Sequence, residues 1–212
     1  MRVMDVPAGM LVGLGATANA ITALGGIFGG VAFVCISIGW MEGGLGFILA
    51  NRLCDGLDGA VARRVGTTDF GGFLDIVVDF IFYAAMPLAF ALYDPSNAVP
   101  AAFVIFTFMG TGASFLAFAI IAGKRGIKTD ALSPAMNFGG MRGGIRGKAF
   151  YYASGLAEGG ETFLFLCLIC LFPSWFAIIA IGFGVLCLVT TAGRIRMAAR
   201  VFSQPIREGD EA

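Results

Sequence analysis

The chain contains no histidine, and only 13% of its 212 residues are charged. The first absence removes the side chain that most often binds metals and moves protons near neutral pH, so acid–base chemistry here falls to carboxylates. It also weakens a zinc or redox reading of Cys167-x-x-Cys170, which has no second pair. These two cysteines, with Cys35, Cys54 and Cys187, read instead as small buried hydrophobes. The second absence excludes a soluble domain, which must keep a polar exterior: 58% of the residues are hydrophobic, and the mean hydropathy is +0.87. A single membrane domain over residues 1–212 is expected. Abundant Phe (21) and Gly (32) suit lipid-facing bulk alternating with close helix approach.

A span takes about 20 apolar residues, and six such runs are found, at 17–38, 44–62, 72–93, 98–122, 149–171 and 174–195. The predicted fold is an all-α, six-helix membrane bundle with a polar cavity at its cytoplasmic side. The stretches at 39–43, 94–97 and 172–173 are short and lack Lys and Arg altogether. The polar connections 63–71 and 123–148, the N-terminal end and the stretch from Arg194 onward carry 13 of the 14 basic residues, Arg52 being the exception. Basic residues mark cytoplasmic loops, so both termini are expected in the cytoplasm. The first run lacks the basic flank of a cleavable signal and reads as a retained span. The formal net charge is zero, and topology explains the basic bias, so nucleic acid is not an expected partner.

Within this apolar chain the second run ends in Asn51-Arg-Leu-Cys-Asp55-Gly-Leu-Asp58-Gly59-Ala-Val-Ala62-Arg63, and the third contains Asp75 and Asp79. A carboxylate at the centre of a membrane helix costs about 2.5–3.5 kcal/mol, so four set an upper limit of roughly 10–14 kcal/mol that something must offset. At 100° per residue, Asp55, Asp58, Gly59 and Ala62 share an arc of about 100° on one helix face. Asp75 and Asp79 share a face of the next helix as an i, i+4 pair. The short connection 63–71 makes these helices antiparallel neighbours whose carboxylates can converge. A hard divalent cation, Mg²⁺ or Mn²⁺, compensates such a cluster and leaves positions open for phosphate. Gly59, Ala62, Gly71 and Gly72 leave room beside the acids for a ligand. The alternative is that these small residues serve packing while the acids pair with Arg52, Arg63 and Arg64.

The pattern Asp55-x-x-Asp58-Gly59-x-x-Ala62-Arg63, followed by Gly71-x-x-x-Asp75-x-x-x-Asp79, closely resembles the signature of the CDP-alcohol phosphatidyltransferases, with seven residues between Arg63 and Gly71 where the usual pattern has one more. Asn19-x-x-Thr22 resembles the N-terminal element of the same family. The resemblance implies that Asp55, Asp58 and Asp75 bind the metal, with Asp79 completing the shell and serving as general base. It implies that Gly59, Ala62 and Arg63, with Asn19 and Thr22, line the site of a CDP-linked lipid donor. It further implies a small alcohol or phospho-alcohol acceptor, release of CMP in phospholipid biosynthesis, a homodimer, and residence in a bacterial cytoplasmic membrane. Lys124, Arg125, Lys128, Arg142, Arg146 and Lys148 read either as ligands for a phosphorylated acceptor or as ordinary basic residues facing anionic headgroups. Glu158 and Glu161 read either as acceptor contacts or as acids favouring a helix N-terminus. Two rival readings of the intramembrane acids are a membrane prenyltransferase, which lacks the Asp-Gly-x-x-Ala-Arg context, and a secondary transporter or cation channel.

Overall fold

The computed structural model describes residues 4–126 and 159–203. Among these residues there is no strand, and seven α-helices carry the chain: α1 Asp5–Gly13, α2 Ala18–Ser37, α3 Met41–Val65, α4 Asp69–Tyr93, α5 Ala98–Lys124, α6 Gly159–Leu171 and α7 Phe176–Phe202. Helices α2 and α4, together with the stretches Pro95–Lys124 and Pro173–Phe202, are long and apolar enough to cross a membrane. The protein is thus an all-α, polytopic membrane protein. The other two predicted spans are not among these four. Helix α3 has 25 residues and a length of about 37 Å at 1.5 Å per residue, but it carries the charged motif. Helix α6 has 13 apolar residues in its described part, and residues 149–158 of that predicted span lie outside the described residues.

Contacts divide the chain into two compact units. The first holds α1 to α4, with residues 166–177; the second holds residues 103–165 and 178–212, of which 103–126, 159–165 and 178–203 are described. In the first unit α2 packs against both α3 and α4, and α1 packs against α3. Small residues make this possible. A Cβ at Gly25 would lie 3.1 Å from the Cys54 Cβ, and one at Gly29 would lie 2.9 Å from the Phe82 ring, so α2 approaches its neighbours closely through a glycine-bearing face. Its other face exposes Leu24, Ile27 and Val34, apolar side chains that suit lipid contact. Gly25→Leu is expected to overpack this seam and cost about 1–3 kcal/mol; a thermal unfolding midpoint in detergent that drops by several degrees, with the exposed control Gly30→Ala unchanged, is the expected observation.

The α3–α4 connection is tighter than its polar sequence suggests. Residues 63–71 read as a loop, yet only residues 66–68 lie outside the helices. Gly66 stops α3 with φ +105°, a left-handed conformation that side chains other than glycine rarely adopt. Thr68 then caps α4, its hydroxyl accepting the Gly71 N–H at 3.0 Å. Arg63 and Arg64 thereby fall in the last turn of α3 and Asp69 in the first turn of α4, where each charge complements the helix dipole. The seven-residue spacing between Arg63 and Gly71 is accommodated as helix on both sides of a three-residue turn.

Helix α1 has no counterpart among the six predicted runs, being too short to span. It buries Ala8 in a cluster with Ile21, Cys54, Ala60 and Val61, and Arg64 donates to the Asp5 carbonyl at 2.6 Å. This fastens α1 to the C-terminal end of α3. In the second unit, Arg125 donates to the Phe202 carbonyl at 2.9 Å, satisfying one of the orphan carbonyls at the end of α7. Arg194 donates to the Thr111 carbonyl at 2.8 Å, and Thr111 and Thr191 bond each other and the Cys187 carbonyl. Polar groups in these two spans are therefore used to join α5 to α7.

Candidate active site

Asp55 and Asp58 project from α3, and Asp75 and Asp79 from α4, into one cavity lined also by Thr22, Gly25, Asn51, Arg52 and Val78. One oxygen from each of Asp55, Asp75 and Asp79 lies within 4.8 Å of the other two, a spacing that a single hard cation can bridge. The donor set is all carboxylate, which favours Mg²⁺ or Mn²⁺ over softer metals, so the residues present fit a divalent ion. Asp58 stands slightly apart. It is 6% exposed and receives the Thr22 hydroxyl at 2.6 Å, which fixes its orientation from the neighbouring helix.

Arg52 enters the same cluster from within the membrane helix. Its Nη2 lies 2.6 Å from Asp79 Oδ1, and its Nη1 lies 3.6 Å from Asp55 Oδ2 and 2.8 Å from the Tyr83 hydroxyl. Its Nε donates to Asn51 Oδ1 at 2.8 Å, while the buried Asn51 amide donates to the Gly25 carbonyl at 2.8 Å. The guanidinium carbon also stands 4.8 Å from the Phe82 ring centroid and 5.2 Å from that of Tyr83. Tyr83 completes the arrangement by donating to Asp79 Oδ2 at 3.2 Å. Both Asp79 oxygens are therefore engaged, although a carboxylate has about four lone-pair positions and retains acceptor capacity.

Comparison with known proteins gives this cavity its context. The family model for CDP-alcohol phosphatidyltransferase matches residues 16–189. The chain belongs to that family. The phosphatidyltransferase is 45% identical over 196 residues to the inner membrane protein YnjF of Escherichia coli (strain K12), a match covering 92% of this chain and 85% of YnjF. In fold it resembles the crystal structure of the phosphatidylinositol phosphate synthase of Mycobacterium tuberculosis with CDP-DAG bound. The TM-score is 0.60 at 17% identity, covering 100% of this chain and 98% of that one. The enzyme class follows from family membership, which sets aside the transporter and prenyltransferase readings.

The site residues expected of the phosphatidyltransferase divide into two groups. Asp55, Asp58, Asp75, Asp79 and Thr22 come together in the cavity. Gly59, Ala62, Arg63 and Asn19 are not part of its lining. Gly59 directly follows Asp58 and Ala62 lies one turn beyond it on α3, and the exposed Arg63 folds back so that a Cβ on Gly59 would meet its Nη1 at 3.3 Å. Asn19 sits against the start of α4, where a Cβ on Gly71 would come 2.9 Å from its Oδ1. The space expected at Gly71 is therefore taken by Asn19 and the Thr68 cap.

Of the arginines in the packing alternative, Arg52 pairs with the acids, whereas Arg64 turns to α1. Asn51 and Tyr83 were not singled out from the sequence. Tyr83 had a readable signal, since it lies four residues beyond Asp79 on the same helix face. Of the basic residues considered for an acceptor, Arg125 is occupied at the end of α7, and Lys128, Arg142, Arg146 and Lys148 lie outside the described residues, as does Glu158. Glu161 is in the first described turn of α6. Cys35, Cys54, Cys170 and Cys187 are buried and Cys167 partly so, all as free thiols.

Proposed function

We propose that this membrane enzyme transfers a phosphatidyl or related phospho-alcohol group from a CDP-linked lipid to the hydroxyl of a small acceptor, in a divalent-metal-dependent reaction that releases CMP. The observation that carries this reading is the convergence of Asp55, Asp75 and Asp79 within 4.8 Å, in a chain whose family is defined by that chemistry. Asp55, Asp58 and Asp75 would hold Mg²⁺ or Mn²⁺, with Asp79 at the edge of the same cluster. The bound ion supplies neutralising charge to the diphosphate and to the CMP phosphate as it departs.

The chain's own residues account for the rest. Thr22 holds Asp58 in one rotamer, and Arg52 with Tyr83 fixes the plane of the Asp79 carboxylate. Asp79 accepts the acceptor's hydroxyl proton as that oxygen bonds to the lipid-linked phosphorus. The bond from this phosphorus to the bridging oxygen breaks, and CMP leaves with that oxygen and the electron pair. Arg63, at the exposed end of α3, offers a planar donor fork to the nucleotide phosphates, while Gly59 and Ala62 leave the adjacent helix face low. Asn19 belongs with this donor region through its position beside Gly71.

We read residues 1–212 as one domain of six spans with a cytoplasmic cavity and both termini cytoplasmic, a reading supported by the basic-residue asymmetry. The resemblance supports a homodimer, and the relative YnjF, an inner membrane protein, supports a bacterial inner membrane.

A screen of glycerol phosphate, inositol phosphate, serine, choline and inositol with CDP-diacylglycerol tests the acceptor class. Acceptor-dependent CMP release with one of them is expected; release with none, despite metal-dependent donor binding, would exclude these acceptors. Thr22→Val is expected to weaken metal affinity on the order of 10- to 100-fold by freeing Asp58. Calorimetric Mg²⁺ titration measures this, and unchanged affinity would remove Thr22 from the site's support.

A further inference from the structure

Asn51 is 2% exposed within α3, where an unpaired amide would be costly, and its side chain is engaged at both ends. Its Nδ2 donates to the Gly25 carbonyl of α2 at 2.8 Å, and its Oδ1 accepts the Arg52 Nε–H at 2.8 Å. The partners fix which end is which, because a carbonyl only accepts and a guanidinium only donates. The amide lies against bare backbone: a Cβ at Gly25 would stand 3.8 Å from Nδ2, and one at Gly29 would stand 3.5 Å from it. The Gly25 carbonyl is a firm anchor, since it lies inside the 20-residue α2 and in its seam with α3.

Arg52 carries a single Nε–H, which lies in the plane of its rigid guanidinium fork, so a bond at Nε sets the rotation of that plane about the Cδ–Nε bond. With Nε held by Asn51, Nη2 is directed at Asp79 Oδ1 (2.6 Å) and Nη1 at the Tyr83 hydroxyl (2.8 Å). We infer that Asn51 is a positioning residue for the transfer reaction: anchored on the Gly25 carbonyl, it sets the guanidinium plane of Arg52 and, through it, the Asp79 carboxylate that takes the acceptor's proton. The inference rests on the reading of Asp79 given under Proposed function and adds the residue that ties this carboxylate to the backbone of α2. Asparagine suits the place because its amide accepts from Nε–H and donates to a carbonyl at once. An aspartate has no proton to give the carbonyl, and a leucine, of similar size, can do neither.

The test is steady-state CMP release by the purified full-length protein in detergent, with Mg²⁺, CDP-diacylglycerol and the acceptor that supports turnover, for native protein, Asn51→Leu, Arg52→Lys and the double variant. Asn51→Leu is expected to lower kcat on the order of 10- to 100-fold, the cost of a misplaced reacting group, with KM for CDP-diacylglycerol held within about twofold. Arg52→Lys keeps the charge near Asp79 but has no Nε–H for Asn51 to hold. Adding Asn51→Leu to it is therefore expected to lower kcat by no more than about twofold further, whereas independent effects would multiply. Circular dichroism and gel filtration follow folding, with Asn51→Ala as the second variant should leucine overpack the seam. Native kcat in a folded Asn51 variant, or losses that multiply in the double variant, would overturn the inference. So would failure of both Asn51 variants to fold, which would make the amide a packing group. No CMP release from the native protein with any acceptor would instead overturn the reading of the site, and the inference with it.

Discussion

Asp79→Asn is expected to lower CMP release on the order of 10²- to 10⁴-fold, the range spanned by loss of a positioned general base. Asparagine keeps the shape and one acceptor oxygen, so the bond from Arg52 or that from Tyr83 can persist, but its amide nitrogen cannot take a proton from the acceptor hydroxyl. With no histidine in the chain, no imidazole can substitute. The variant should remain folded and bind CDP-lipid, because Thr22, Asp55, Asp58 and Asp75 are untouched. Donor binding and circular dichroism, measured beside turnover, separate loss of the base from loss of the site. Turnover near the native rate in a folded variant would remove Asp79 from the proton-accepting role.

Chelation of divalent metal is expected to bring CMP release to background, and Mg²⁺ or Mn²⁺ to restore it. Four carboxylates share one cavity with Arg52 as their nearest described cation, so the metal-free cluster carries uncompensated negative charge facing a donor that is itself anionic. Metal binding should also stabilise the fold by linkage, by about 2.7 kcal/mol when free metal stands at 100 times its dissociation constant. Thermal unfolding in detergent should therefore shift upward with Mg²⁺ in the native protein, and much less in Asp75→Asn. A chelator-insensitive reaction would leave the carboxylates without the metal role assigned to them.

Much of this arrangement was legible in the sequence because its causes are local. Helical periodicity alone places Asp55 and Asp58 on one face and Asp75 and Asp79 on another, and a short connection brings the two faces together. Helix α2 was placed to within a residue at each end, since the apolar run and the Thr17 cap coincide. What escaped is what depends on partners distant in sequence. Arg52 looks like a stray intramembrane cation until α4 brings Asp79 and Tyr83 beside it. Gly25 and Gly29 look like general packing glycines until Cys54 and Phe82 are seen against them. The connection 63–71 reads as a loop from its charge, whereas Arg63, Arg64 and Asp69 are the charges a helix end accommodates. Helix α1 escaped because nine residues are too few to read as a span, although they are enough to dock on α3.

The most direct test of the central claim is CMP release from CDP-diacylglycerol by the purified protein in detergent, with Mg²⁺ or Mn²⁺ and a panel of hydroxyl acceptors. Native protein is expected to release CMP only when metal and one acceptor are both present, and Asp55→Asn to fall to background. Release that persists without metal or in Asp55→Asn, or failure of the folded protein to bind a CDP-linked lipid at all, would contradict the proposed chemistry.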